Sequence, residues 1–234
     1  MDEVVLKPIS LIVKERLFDG IRLYDGRPSV TSVLKVLKDS EQFEKFKSFN
    51  LDAYHDMLNG KAALGTHLHS IVAQSYTTRK YIPVITCHGG SRLMFYTKEW
   101  YKRKPLMIED DETKATFVCD DNVWGTFDML ADIDGKICLV DWKTCGTKVY
   151  DELIFKYKMQ IGKYAHLHTL KSWQKVDEGR IVMFSSRWWY KVLIVKDLEY
   201  WNKKFDEVYE WFTSLYSKRN EIQDSVSWVQ EVSI

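Results

Sequence analysis

The stretch from Val123 to Lys143 constrains this chain more tightly than any other. It holds two β-like runs, 123–132 and 136–142, separated by Asp134-Gly135. An aspartate–glycine pair closes a tight hairpin readily, because both residues tolerate positive φ. Side chains alternate faces along a strand. On the first run Thr126, Asp128 and Leu130 therefore share one face, and Phe127 and Met129 take the other. On the second, Asp141 and Lys143 share a face while Trp142 points away toward the core. Asp128 and Asp141 stand about equally far from the turn, so antiparallel pairing sets the two carboxylates close together with an ammonium group beside them.

The residues Ile137-Cys138-Leu139-Val140 lead into Asp141. A strand this apolar belongs in the interior, where unpaired charge is costly. A lone DxK on a strand also reads as a solvated edge, but the apolar run argues against an edge here. Crowded carboxylates repel unless positive charge lies between them. Oxygen ligands of this hardness select Mg2+ or Mn2+, as one ion or two. Such an ion polarises a phosphoryl oxygen and activates water, and a nearby lysine offsets the charge that develops.

Around the hairpin the periodicity alternates between strand and helix. Residues 11–24 read as short strands broken at Asp19-Gly20 and Asp25-Gly26. Pro28 to Leu34 opens a short helix, with Ser29, Thr31 and Ser32 able to cap its N–H groups. Helices are expected at about 41–50 and 60–80, with a short one ending between Glu99 and Lys104. A β-like run at 106–109 with 114–119 joins the hairpin in a three-strand meander. A long helix follows at about 150–171, then strands at 180–186 and 190–196, then a helix at about 197–218. In the last, Leu198, Trp201, Phe205, Val208, Phe212 and Leu215 form an amphipathic stripe that reads as core cover.

This order predicts an α/β fold, a mixed central sheet flanked by helices. The 234 residues suit one such domain with a small N-terminal extension. The expected division is an extension over 1–58, a core over 59–220 and a tail over 221–234. With 45% hydrophobic residues a full core is available.

The formal net charge is only +1, so any nucleic-acid contact must use a local patch rather than the whole surface. Cys87, Cys119, Cys138 and Cys145 form no CxxC pair, which argues against zinc ribbons and fits reduced thiols in a cytoplasm, bacterial or phage-infected. Residues 1–7 carry two early acids and no long apolar core, unlike a secretory signal. No apolar run approaches a membrane span, so no membrane partner is expected.

Five segments in order resemble the motifs of RecB-like nucleases of the PD-(D/E)XK superfamily, and within it the stand-alone exonucleases typified by mitochondrial genome maintenance exonuclease and related phage enzymes. Pro28-Ser29-Val30-Thr31-Ser32-Val33-Leu34 is similar to the "PSVT" segment of that group. Gly65-Thr66-His67-Leu68-His69 is similar to GTxxH, Gly125-Thr126-Phe127-Asp128 to GxxD, Asp141-Trp142-Lys143-Thr144 to DxKT, and Gln160-Ile161-Gly162-Lys163-Tyr164 to QxxxY. The resemblance implies a restriction-endonuclease-like fold and a divalent-metal-dependent DNA exonuclease. It implies that His69, Asp128, Asp141 and the Trp142 main-chain carbonyl hold metal, that Lys143 is catalytic, and that Gln160 and Tyr164 orient the site. Two departures stand out. Ala73-Gln74 occupy the neighbourhood where relatives often carry an acid, and no cysteine follows Cys145, so no iron–sulphur cluster is expected.

The expected substrate is DNA, single-stranded or with resected ends, in recombination, repair or replication, with a protein partner from those processes compatible. A structure-specific or nicking endonuclease of the same fold is the alternative. A catalytically silent DNA-binding module is a third reading. Between Lys143 and Lys171 six lysines stand against two acids, a local excess suited to phosphate. The candidates for DNA contact are Ser29, Thr31, Ser32, Thr144, Lys156 and Lys163. Arg187-Trp188-Trp189-Tyr190 has the look of a base-stacking platform, but reads better as a turn between two strands.

Overall fold

The computed structural model describes residues 21–37, 51–88, 91–94, 97–102, 106–107, 117–145, 149–185 and 189–231. The expected turn at Asp19-Gly20, the helix at 41–50 and residues Arg187-Trp188 lie outside them. Strands β1 (Leu23–Tyr24) and β2 (Arg27–Pro28) form a hairpin. It turns at Asp25 and Gly26, at φ 51° and 74°. Helix α1 (Val30–Val33) and a 3-10 turn (Leu34–Val36) follow. Then come helix α2 (Leu51–Thr77), strands β3 (Ile85–His88) and β4 (Ser91–Met94), helix α3 (Lys98–Lys102), and strands β5 (Leu106–Met107), β6 (Phe117–Cys119) and β7 (Trp124–Thr126). Strands β8 (Met129–Ile133) and β9 (Lys136–Cys145), helix α4 (Asp151–Ser172), strands β10 (Glu178–Ser185) and β11 (Tyr190–Val195) and helix α5 (Leu198–Glu231) complete the order.

The main sheet is mixed, in the order β11-β10-β9-β8-β5. Strands β8 and β9 are antiparallel around Asp134 and Gly135, at φ 57° and 77°, the paired positive φ that the turn residues predict. Strands β9 and β10 are parallel, and α4 is the crossover that a parallel pair requires. Helices cover both faces. On one, Leu130, Leu139, Ile181 and Met183 pack with Met159, Ile161 and Leu167 of α4 and Phe205 and Phe212 of α5. On the other, Met129, Val140, Trp142 and Val182 pack with Leu68 and Val72 of α2. All eight positions of β10 are buried, so no outward polar face survives there. The α5 stripe lies on the core as its spacing predicts, with Phe205, Val208 and Phe212 buried and Leu198, Trp201 and Leu215 packed at its edge.

Two expectations change. The meander is not a single unit: β5 pairs with β8 in the main sheet, whereas β6 pairs with β7 in a separate two-stranded sheet. The run 123–132 breaks at Phe127-Asp128, where the Asp128 carboxylate takes the Trp142 backbone N–H in place of a strand partner. Residues 58 and 59 both lie in α2, and α5 runs past 220 to Glu231. Among the described residues no helix is long and apolar enough to cross a membrane.

Candidate active site

The β8–β9 register sets Met129 opposite Val140. The next step brings Asp128 against Asp141, as counting from the turn predicts. Asp128 Oδ2 accepts the Trp142 backbone N–H at 2.5 Å, which pins that carboxylate to β9. Asp141 is 3% exposed, and its Oδ2 lies 2.6 Å from Lys143 Nζ. Two residues along one strand share a face, so the Asp-Trp-Lys spacing itself makes this pair. Trp142 points the other way and is buried among the α2-side core.

Helices deliver the remaining groups from opposite faces of the sheet. From α2, His69 Nδ1 lies 3.0 Å from Asp128 Oδ1, and the imidazole stands edge-on to the Trp142 ring at 6.1 Å. His67 is turned elsewhere, its Nε2 3.4 Å from the Ile85 carbonyl oxygen. From α4, Gln160 and Tyr164 sit one turn apart, both buried, and Gln160 Nε2 donates to Tyr164 Oη at 3.1 Å. The Tyr164 ring lies close against Gly125. A Cβ at that position would come within 2.3 Å of Tyr164 Cε1, so the glycine three residues before Asp128 is required by this close approach.

Sequence reasoning missed Tyr157. Lys143 Nζ lies 4.9 Å from the Tyr157 ring centroid, within cation–π range. The signal was present in the spacing: Tyr157, Gln160 and Tyr164 recur at steps of three and four, one face of a helix.

Charge in this site is unevenly balanced. Burial pushes the Asp141 carboxyl above the usual range; Asp128 adds to the rise and Lys143 opposes it. Burial also works against the Lys143 ammonium, but Asp141, Tyr157 and Asp128 outweigh it and raise that group. For His69 burial again opposes the charge, and the hydrogen bond and negative charge of Asp128 win, so the imidazole is raised. Burial, with Asp141 beside it, pushes the Tyr164 hydroxyl up to about 12, so it stays a neutral hydrogen-bonding group. Two carboxylates at one point, one of them short of positive charge despite Lys143, suit a hard divalent cation. As the side chains stand, His69 is turned onto Asp128 and Lys143 onto Asp141. Among the described residues no three His, Cys, Asp or Glu side chains form a ready metal-binding group.

Most of the expected DNA contacts are engaged within the fold. Lys163 is 4% exposed, and its ammonium is 3.1 Å from both Asp120 and Asp206, tying α4 to α5 and to the β6–β7 turn. Burial and the two carboxylates hold it as a structural cation in this arrangement. Lys156 donates to the Leu37 carbonyl at 2.8 Å. Ser29 caps α1 through the Ser32 N–H, and its hydroxyl bonds those of Ser32 at 2.8 Å and Thr31 at 3.1 Å. Ser29 and Ser32 are buried, so plain capping describes them. Thr144 is half-buried on β9 beside Lys143.

No family model matches this chain, and no curated protein matches it. Among solved structures, the crystal structure of SSO0001 matches 87% of this chain and 84% of that one, at 13% identity and a TM-score of 0.44. Nothing is carried to this chain from a likeness of that size.

Proposed function

We propose that this chain is a Mg2+- or Mn2+-dependent deoxyribonuclease of the RecB-like PD-(D/E)XK type, acting as an exonuclease on single-stranded or resected DNA. The observation that supports the reading is the convergence of Asp128, Asp141 and Lys143 at one point between two helices, with His69 from α2 and the Gln160–Tyr164 pair from α4. Asp128 and Asp141 would hold the cation, with His69 and the Trp142 carbonyl as further donors. When bound, the cation polarises a phosphoryl oxygen and lowers the pKa of its water. Lys143, kept protonated by Asp141, acts as a donor and a counter-charge to the phosphorane, not as a base. Tyr157 sets its ring against the ammonium, and Gln160 fixes the Tyr164 hydroxyl.

End-labelled linear single strands incubated with Mg2+ or Mn2+ test this. Wild type should release nucleotides, and Lys143→Ala should slow release by about 10²–10³-fold, the usual loss for one transition-state donor. Covalently closed single-stranded circles should survive; their cleavage would favour the endonuclease alternative. An inert wild type, or a Lys143→Ala protein as active as wild type, would sink the reading.

A further inference from the structure

Strand β7 ends at Thr126, two residues before Asp128. Phe117 pairs with Thr126 and Cys119 with Trp124, so these four side chains share one face. Val118 and Gly125 turn inward, and both are buried. Thr126 is exposed, and two residues on the chain reaches Asp128. The four residue steps from Trp124 to Asp128 span at most about 13 Å.

Aromatic rings line this face. Phe117 and Trp124 stack with centroids 6.0 Å apart. Tyr24 reaches over from β1, edge-on to Phe117 at 5.1 Å and 6.0 Å from Trp124. A ring placed only to fill the gap between two hairpins would be buried, yet Tyr24 is 51% exposed. Cations frame the rings. The Arg22 guanidinium lies 5.9 Å from the Trp124 centroid, and Lys171 Nζ donates to the Phe117 carbonyl at 3.0 Å. Both side chains are exposed.

An exposed tyrosine ring against two half-buried rings, beside guanidinium and ammonium groups, matches unpaired nucleic acid, in which bases stack and phosphates meet cations. A duplex hides the faces of its bases, so a stacking surface selects a single strand. We propose that Tyr24, Phe117 and Trp124, with Arg22 and Lys171, hold the single strand flanking the phosphodiester at Asp128 and Asp141. The inference rests on the nuclease reading for its orientation, and its test separates the two.

Binding is measured by fluorescence anisotropy in the Lys143→Ala background with Mg2+, so that the strand survives. The probes are oligo(dT), an abasic oligomer of equal length and a blunt duplex. Tyr24→Leu, which keeps apolar volume and removes the ring, should weaken oligo(dT) binding about tenfold. Tyr24→Phe should restore it, and the abasic oligomer should bind all three proteins alike. Equal oligo(dT) binding by Tyr24→Leu and its parent overturns the platform, as does an equal loss on the abasic oligomer. A wild type that cuts DNA while Tyr24→Leu binds normally removes the platform alone. A wild type that cuts nothing while Tyr24→Leu loses oligo(dT) removes the nuclease reading alone.

Discussion

Strands β9 and β10 carry a charged cluster toward each end, and the two are built on opposite principles. At the start of the strands, one buried carboxylate meets two cations. Glu178 Oε1 accepts from Arg180 Nε at 2.9 Å and Nη2 at 2.6 Å, and Oε2 accepts from Lys136 at 3.0 Å. Burial opposes the Glu178 charge, but Lys136 and Arg180 outweigh it and hold the carboxyl below its usual range. Further along β9, two carboxylates share one lysine and one histidine, and burial, with Asp128 beside it, drives Asp141 upward instead. The first cluster is satisfied by the protein itself and reads as structure. In the second, Lys143 and His69 do not offset the burial of Asp141 and its crowding by Asp128, a pattern that suits a bound cation.

Breaking the satisfied cluster should have the largest effect on stability. Glu178→Gln leaves the Arg180 guanidinium buried without its counter-charge, and should cost about 3–5 kcal/mol in urea unfolding. The same change sharpens the contrast through pH. The folded Glu178 carboxyl lies below its ordinary value of 4.5. Its contribution is therefore fully present above about 4.5 and is lost as pH falls through the folded value. Wild type should show a steeper acid limb than Glu178→Gln; superimposable limbs would mean that the cluster stores no such stability.

At the other cluster the effect should be smaller and should reach activity. Gly125→Ala forces a methyl group against the Tyr164 ring, and overpacking of this kind costs about 1–3 kcal/mol. Because Gly125 lies three residues before Asp128, the nuclease rate should fall along with thermal stability, whereas Glu178→Gln should alter stability alone at temperatures where it is folded. A Gly125→Ala protein with unchanged melting and rate would show that the Tyr164 approach is loose.

Much of this was legible in local pattern. Asp134-Gly135 demanded a tight turn, and period two then fixed both the pairing of Asp128 with Asp141 and the shared face of Asp141 and Lys143. The helix at about 150–171 and the strands near 180–186 and 190–196 sit within a few residues of α4, β10 and β11, because amphipathic and apolar runs declare themselves over short windows. What was not legible depends on contacts distant in sequence. Lys163 looks like any helical lysine until Asp120 and Asp206 arrive from other elements. Phe117 looked like part of the main sheet, but its partner is Thr126 in a separate hairpin. Nothing local announces that Trp142 would give its N–H to a side chain and so break the run at Asp128.

Calorimetric titration with Mn2+ tests the central claim most directly. The account predicts a saturable heat for the wild type that disappears in both Asp128→Asn and Asp141→Asn, yet persists in Tyr24→Leu, whose ring lies outside the carboxylate pair. A wild type that takes up no Mn2+, or Asn variants that bind it as the wild type does, would contradict the assignment of Asp128 and Asp141 as the ligands of a catalytic cation.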